Sequence, residues 1–98
     1  MKAIELVRRR VNVGENAFAE VVIWQISKPL PGSQHLFKYR LAFVAEGQCV
    51  LRYDNEAGKG DHRHLGELEE DYPFSNPRPL MADFFEDIKR WQYEHGDP

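Results

Sequence analysis

Residues 17–27, AFAEVVIWQIS, decide the fold that we expect for this chain. The side chains of a β-strand alternate between its two faces. One face of this segment would carry four apolar residues: Phe18, Val22, Trp24 and Ile26. The opposite face would carry three more: Ala19, Val21 and Ile23. Apolar residues on both faces predict a central β-strand that is covered on both sides.

Other strands flank this segment on both sides. Residues 2–11 (KAIELVRRRV) predict a first strand, and residues 35–45 (HLFKYRLAFVA) predict a third strand with period-two alternation. A turn at Gly47 leads to a fourth strand at residues 49–54, because glycine adopts positive φ at little cost. Residues 62–68 (HRHLGEL) indicate a fifth strand, so the expected sheet has four or five.

The last predicted element is an amphipathic helix over residues 78–93. Ser75 or Asn76 can cap its first turn, and Pro77 suits that turn because its fixed φ is helical. Its apolar residues recur at helical spacing: Leu80, Met81, Phe84, Phe85, Ile88 and Trp91. We expect this stripe to pack on the sheet and the tail, residues 94–98, to be frayed.

These elements predict an α+β fold. It is an antiparallel sheet of four to five strands with one C-terminal amphipathic helix packed on it, in a single domain over residues 1–98. The chain has 98 residues, of which 42% are hydrophobic and 30% are charged, as in soluble globular proteins. The apolar runs are too short to cross a membrane and the N-terminus lacks a signal peptide's pattern, so we expect a cytoplasmic protein without a membrane partner.

The charge and the cysteine content exclude some kinds of protein. Residues 1–66 hold ten Lys/Arg and seven Asp/Glu, whereas residues 67–98 hold three Lys/Arg and nine Asp/Glu. The net charge of −3 argues against a general DNA-coating protein, although the basic first part can engage a phosphate backbone. Cys49 is the single cysteine, which excludes an intrachain disulfide, and its apolar neighbours predict that it is buried.

The segment YDNEAGKGDHRH, Tyr53–His64, concentrates the chemistry of the chain. His62 and His64 are two residues apart, so a strand would present both imidazoles on one face. Such a pair could act as general base and acid, with Asp54 or Asp61 orienting a ring. The spacing equally fits two surface histidines without a special task. A third interpretation is a metal pair completed by Asp54, Asp61 or His35, but no zinc motif supports it.

Basic residues complete the predicted site. Lys59 lies between Gly58 and Gly60, a pattern that can bind phosphate through backbone amides but that also fits a plain flexible loop. Together with the two histidines, lysine and arginine provide the residue types that RNA cleavage by a 2′-hydroxyl needs. The predicted catalytic residues are His62, His64, Lys59, Asp61 and Asp54. The predicted substrate-binding residues are Lys38, Arg40, Tyr53, Asn55, Gly58, Gly60 and Arg63. Whether Lys38 and Arg40 share a face with the histidines depends on the strand register.

The chain resembles a known family along most of its length. Four stretches carry the resemblance: SQHLFKYRLAFV (Ser33–Val44), YDNEAGKGDHRH (Tyr53–His64), YPF (Tyr72–Phe74) and the helical LMADFFEDI. They are similar to the TumE-type family of small prokaryotic toxins, whose gene lies beside one for a helix-turn-helix antitoxin. The resemblance implies a toxin that is neutralised by a DNA-binding partner protein, and growth-inhibiting toxins of this size commonly act on RNA.

The predicted function is therefore the toxin of a type II toxin–antitoxin system, acting as a metal-independent endoribonuclease that needs no cofactor. RNA would be its substrate, and a helix-turn-helix antitoxin its protein partner. Two alternatives stay open. One is a non-enzymatic protein that binds nucleic acid, phosphate or a partner and inhibits by occlusion. The other is a metal-dependent nuclease.

Overall fold

One antiparallel sheet and one helix form the structure, a computed structural model that describes residues 3–96. The elements in chain order are β1 (Ala3–Gly14), β2 (Ala17–Ile26), β3 (Phe37–Ala45), β4 (Gln48–Asp54), β5 (His62–Leu65), β6 (Leu68–Asp71) and α1 (Pro77–Glu94). The strands lie in the sheet in chain order, each antiparallel to the next. The α+β prediction is confirmed, but the sheet has six strands instead of four to five. Lys2 of the predicted first strand and residues 97–98 of the predicted tail lie outside the described residues.

The sixth strand arises because the predicted fifth strand is two strands. Gly66 has a φ of 62°, and the chain reverses there, so that Leu68–Asp71 pairs with β5. The pairing sets carboxylates opposite cationic or imidazole side chains, which stabilises a short hairpin. The pairs are His62 with Asp71, Arg63 with Glu70, and His64 with Glu69. Three of the four residues of β6 are acidic, so the strand has no apolar alternation and the hydrophobic pattern did not reveal it.

Only one face of the sheet is covered. Helix α1 packs there, with Leu80, Phe84 and Ile88 buried against a set of strand residues. The least exposed strand residues on this face are Ala19, Val21, Ile23, Leu41, Phe43, Leu51 and Tyr53. We call the opposite side of the sheet the open face. The prediction that β2 is covered on both sides is therefore wrong for most of the strand. Of the four residues assigned to its second face, Phe18, Val22 and Trp24 are only half-buried, and Ile26 at the strand end is buried.

Polar bonds fix the helix to the sheet. Asn76 caps α1, accepting a hydrogen bond from the Arg78 backbone N–H at 3.1 Å, so one of the two predicted caps is confirmed. Three side chains then tie α1 to the rest of the chain across 2.5 Å contacts: Tyr53 Oη to Asp87, Tyr72 Oη to Asp83, and Gln92 Nε2 to the Val13 carbonyl. Cys49, predicted to be buried, is exposed near the β3–β4 turn. Among residues 3–96, no helix has both the length and the apolar composition needed to span a membrane.

The buried tyrosines predict a loss of stability in alkali. Burial first, and then the hydrogen bond to Asp87, raises the pKa of Tyr53 above its ordinary value of about 10. Burial and Asp83 raise the pKa of Tyr72 in the same way. A tyrosine whose pKa is raised by folding keeps its contribution below pH 10. It loses that contribution as the pH rises further, because the unfolded chain then releases a proton that the folded chain retains.

We therefore expect the free energy of unfolding in urea to fall between about pH 10 and pH 11.5. For Tyr53→Phe, the free energy of unfolding at neutral pH should be lower by about 1–2 kcal/mol, because the hydroxyl's hydrogen bonds with Asp87 and Arg63 are lost. It should then fall less steeply with pH than that of the wild type. Tyr93→Phe, at an exposed position, is the matched control and should follow the wild type. Equal slopes for wild type and Tyr53→Phe would show that Tyr53 ionisation is not linked to unfolding.

Candidate functional site

The strand register brings the predicted cations and histidines onto one face. Arg40 is opposite Asp54 on β4, and Asp54 is opposite His62 on β5. A neighbouring cross-strand row sets Ala42 opposite Arg52, and Arg52 opposite His64. Because opposed residues of neighbouring strands share a face, Arg40, His62 and His64 all lie on the open face. Lys38, two residues before Arg40, lies there too.

A small cleft on the open face collects four of the five predicted catalytic residues. It has a volume of about 30 Å³ and is lined by Arg52, Asp54, Glu56, Lys59, His62, His64 and Glu69. Such a volume holds one or two waters, so the cleft is a notch in which a phosphate would sit at the surface. A larger depression of about 580 Å³ lies at the β1–β2 turn, where its lining includes no cation and no histidine. The chemistry therefore favours the small cleft.

His62 is held by oxygen atoms at both of its ring nitrogens. Its Nδ1 lies 3.3 Å from the carbonyl oxygen of Gly60, which can only accept a hydrogen bond. A proton on Nδ1 can be donated to this carbonyl, which orients the ring. Nε2 faces Oδ1 of Asp71 at 3.3 Å, and the Asp71 side chain is 98% exposed. An exposed carboxylate on an edge strand can move aside, which leaves Nε2 open to a ligand.

His64 has partners for both of its protonation states. Its Nε2 lies 3.4 Å from Oε2 of Glu69 and 3.8 Å from Oδ1 of Asp54, both of which stabilise an imidazolium. The same Nε2 lies 3.3 Å from Nη2 of Arg52, which can donate to the neutral ring. Asp54 is buried and pairs with Arg52, whose Nε is 3.0 Å away but is not aligned for a hydrogen bond. Asp54 thus positions both neighbours.

The backbone of the Gly58–Lys59–Gly60 loop is already engaged. The Gly58 N–H donates to the carbonyl of Pro31 at 2.5 Å, and the Lys59 N–H donates to the carbonyl of Glu56 at 3.1 Å. Two of the three amides that could bind phosphate are therefore occupied. The Lys59 ammonium is exposed, with its Nζ 3.9 Å from a carboxylate oxygen of Glu56. The loop thus presents a lysine side chain to the cleft.

Close packing between two loops explains why glycine is needed here. A Cβ at Gly32 would lie 3.1 Å from the carbonyl carbon of Gly58 and 3.3 Å from the Lys59 nitrogen. Gly58 and Gly60 have φ values of 86° and 77°, which only glycine adopts readily. The turn around Gly32 therefore supports the loop that carries Lys59.

Two predicted substrate-binding residues are placed inside the fold. Asn55 is 2% exposed; its Oδ1 accepts from the Tyr39 N–H at 2.9 Å, and its Nδ2 donates to the Phe37 carbonyl at 2.7 Å. Asn55 thus continues the β3–β4 pairing through its side chain after β4 has ended. Tyr53 is fully buried between the sheet and α1. The structure does not bring either residue to the cleft.

Arg63 lies on the helix-covered side, between the two histidines in sequence. Its Nη1 is 3.4 Å from both Tyr53 Oη and Asp87 Oδ2, and its guanidinium also pairs with Glu70. The hydrogen bond with Tyr53 raises the pKa of Arg63. This network joins β4, β5, β6 and α1, so the contacts of Arg63 are structural.

Asp61 forms a separate polar cluster with His35. The two residues approach at 2.8 Å, from His35 Nε2 to Asp61 Oδ2, while His35 Nδ1 accepts from the Phe37 N–H at 3.1 Å. The imidazole also stacks on Phe74, with ring centroids 4.0 Å apart. Asp61 thus bonds to His35 and not to His62 or His64.

Within residues 3–96, no three His, Cys, Asp or Glu side chains are grouped as a metal site would require.

The position of Asn55 predicts a structural penalty for its removal. Asn55→Ala would leave the buried N–H of Tyr39 and C=O of Phe37 without partners. Unfolding in urea should show a loss of about 2–5 kcal/mol, as expected for two unsatisfied buried groups. Asn12→Ala, at an exposed asparagine of β1, should change the free energy of unfolding by less than about 0.5 kcal/mol. Similar values for the two variants would contradict this role of Asn55.

Gly32 and Gly47 offer a matched test of the loop packing. Both have positive φ, 89° and 79°, but nothing lies within 4 Å of a Cβ built at Gly47. Gly47→Ala should therefore cost only the left-handed strain, about 1–2 kcal/mol. Gly32→Ala should lower the free energy of unfolding in urea by about 1–3 kcal/mol more than Gly47→Ala, because its Cβ would also lie too close to the backbone at Gly58. If the two variants are equally stable, the loops are not in close contact.

Comparison with known proteins identifies the family. The family model described as Toxin TumE matches residues 3–92, which include all six strands, the cleft and most of α1. No curated protein and no solved structure matches the chain. The resemblance seen in the sequence is thereby confirmed, and an antitoxin partner is implied. The chain belongs to the TumE toxin family.

Proposed function

We propose that the protein is the toxin of a type II toxin–antitoxin system and acts as a metal-independent endoribonuclease. The observation that carries this proposal is the pair of imidazoles on one strand face, attached to backbone positions about 7 Å apart along β5. In-line attack on phosphorus needs a base and an acid on opposite sides of one phosphate. Two rings at this separation, beside the cation Lys59, meet that requirement.

The geometry of each ring suggests its role. His62, whose Nε2 faces only the exposed Asp71 carboxylate, takes the proton from a ribose 2′-hydroxyl, and the oxygen attacks the adjacent phosphorus. His64, whose imidazolium form is stabilised by Glu69 and Asp54, gives a proton to the departing 5′-oxygen. The P–O5′ bond breaks as the P–O2′ bond forms. The products are a 2′,3′-cyclic phosphate and a 5′-hydroxyl end.

Cations around the cleft would stabilise the phosphorane. Lys59 is exposed at the cleft rim, and its weak contact with Glu56 leaves it free to reach a phosphate oxygen. Arg40 lies opposite Asp54 in the next strand, one spacing of about 5 Å from the cleft. Asp54 acts through its neighbours as a positioning residue. Asp61 and Tyr53 have no part in this assignment, because both are engaged elsewhere.

A non-enzymatic inhibitor that works by occlusion is the second candidate. The pairing of His62 with Asp71 and of His64 with Glu69 favours it, because these contacts give both histidines a structural use in the β5–β6 hairpin. A binder would still need the cations of the open face but would not need an acid–base pair.

Incubation of total RNA with catalytic amounts of the purified chain, in the presence of EDTA, tests the proposal. We expect cleavage with cyclic phosphate ends, and a rate at least about 100-fold lower for His62→Ala and for His64→Ala. His95→Ala removes an exposed histidine at the end of α1 and should keep the wild-type rate. Circular dichroism should show that all variants are folded.

Each other result rejects a defined part of the proposal. Wild-type cleavage by folded His62→Ala and His64→Ala proteins would show that these histidines are not the acid and base. Cleavage that EDTA abolishes and one divalent ion restores would favour a metal-dependent nuclease. RNA that is bound but never cleaved would favour the occlusion mechanism.

The antitoxin partner is proposed to be a helix-turn-helix protein that binds the toxin in the cytoplasm and neutralises it. Family membership supports an antitoxin, and the sequence resemblance supports its type. Expression of the chain alone should stop growth, and co-expression with such a partner encoded beside it should restore growth and yield a complex on affinity purification. Growth arrest that persists although the complex forms would contradict neutralisation by binding.

A further inference from the structure

The open face continues beyond the cleft into a surface with two aromatic side chains. Trp24 and Phe18 project from β2 onto this face because the intervening residues Ala19, Val21 and Ile23 are buried under α1. Both rings are only half-buried on this face. A half-exposed tryptophan offers a large flat apolar surface on which another planar group can stack.

Two arginines of β1 lie over these rings. The Arg8 guanidinium carbon is 5.8 Å from the centre of the Trp24 ring, and that of Arg10 is 3.8 Å from the centre of the Phe18 ring. Stacking on an aromatic ring holds a guanidinium flat, and its outer side stays open. Both aromatic rings and guanidinium planes are surfaces on which nucleic acid bases stack.

The same face carries unpaired positive charge. Its carboxylates on β1, β2 and β4 each lie beside an arginine: Glu5 by Arg8 at 2.6 Å, Glu20 by Arg10 at 3.9 Å, and Asp54 by Arg52 at 3.0 Å. Lys38 and Arg40 are exposed on β3, between the aromatic rings and the cleft. Neither forms an ion pair with any residue between positions 3 and 96. An incoming polyanion would therefore find two free cations at the centre of the sheet.

The register joins this surface to the cleft. One cross-strand row runs Arg8, Val22, Arg40, Asp54 and His62 from β1 to β5. Trp24 is opposite Lys38 in the same register. Three strand spacings separate β2 from β5, a distance of about 14 Å, which a few nucleotides of extended chain can span.

We propose that this surface is a binding platform for single-stranded RNA. Bases stack on Trp24 and on the Arg10–Phe18 pair, and the phosphates pass Lys38 and Arg40 before they reach the cleft. The platform deepens the proposed function and rests on it, since it supplies the substrate to His62 and His64. An acidic protein segment would satisfy the cations but would make no use of the aromatic rings, so we favour RNA.

A 2′-O-methyl RNA oligonucleotide tests the platform separately from catalysis, because it cannot be cleaved by its own 2′-oxygen. In a Trp91→Phe background, Trp24 is the only tryptophan, and we expect its fluorescence to be quenched on binding. Trp91 packs against Phe43 on the helix-covered side, so the background change leaves the open face intact. Trp24→Leu should weaken binding about 5- to 100-fold, measured by anisotropy of a labelled oligonucleotide.

Salt dependence separates phosphate contacts from stacking. Lys38→Gln should reduce the slope of log K against log salt concentration by about 0.7, the value for one phosphate contact on a single strand. Lys89→Gln, at an exposed lysine of α1, is the matched control and should leave affinity and slope unchanged. Circular dichroism again shows whether each variant is folded.

The outcomes separate this proposal from the proposed function. Binding at the platform without cleavage of natural RNA would reject the nuclease and keep the platform. Efficient cleavage together with wild-type binding by Trp24→Leu and Lys38→Gln would reject the platform and keep the nuclease. Equally tight binding of polyglutamate, with no effect of Trp24→Leu, would reject RNA in favour of an acidic protein partner.

Discussion

The structure depends on one constraint: six strands share a single helix, so only one face of the sheet can be buried. The central strands therefore direct their most buried apolar side chains to α1, and the opposite face carries most of the charge. Strand β3 shows this most clearly, with Tyr39, Leu41 and Phe43 against the helix and Lys38 and Arg40 on the open face. Because β3 is central in the sheet, those two cations lie in the middle of the uncovered surface. Alternate residues of the same strands therefore form the core on one face and the candidate RNA surface on the other.

Neighbouring residues of Tyr53–His64 consequently lie on opposite faces of the sheet and have different roles. Asp54 lies in the cleft, whereas Tyr53 is buried under α1 and Asn55 bonds to the β3 backbone. His62 and His64 line the cleft, whereas Arg63 bonds to α1 and β6. The structural residues hold the register on which the cleft depends. A slip of one residue would exchange the two sets, burying imidazoles and exposing Tyr53.

The elements defined by apolar periodicity could be predicted from the sequence: β2, β3 and α1 were expected at nearly their observed bounds. Strand β6 could not, because its four residues are mostly acidic and pair through charge. Most of the predicted site residues were taken together from Tyr53–His64. The composition of that segment does not reveal on which face of the sheet each side chain lies. Asp61 shows a further limit, since its partner His35 is 26 residues away and is brought close only by the fold. Trp24 was predicted to be buried because both faces of β2 carry apolar residues, a pattern that is typical of strands covered on both sides.

The histidines of the cleft have a structural use as well as a chemical one, and this bears on how function can be inferred. Glu69 and Asp71 face His64 and His62 from an edge strand with all four residues exposed, so little else holds that strand in place. A phosphate entering the cleft would compete with these carboxylates for the same imidazole nitrogens. Binding of substrate and pairing of β5 with β6 are then linked equilibria. Loss of toxicity on removing a histidine can therefore reflect a loosened hairpin as readily as lost chemistry. Cleavage products with cyclic phosphate ends, formed by the folded wild type, establish the chemistry itself, because hairpin pairing transfers no protons.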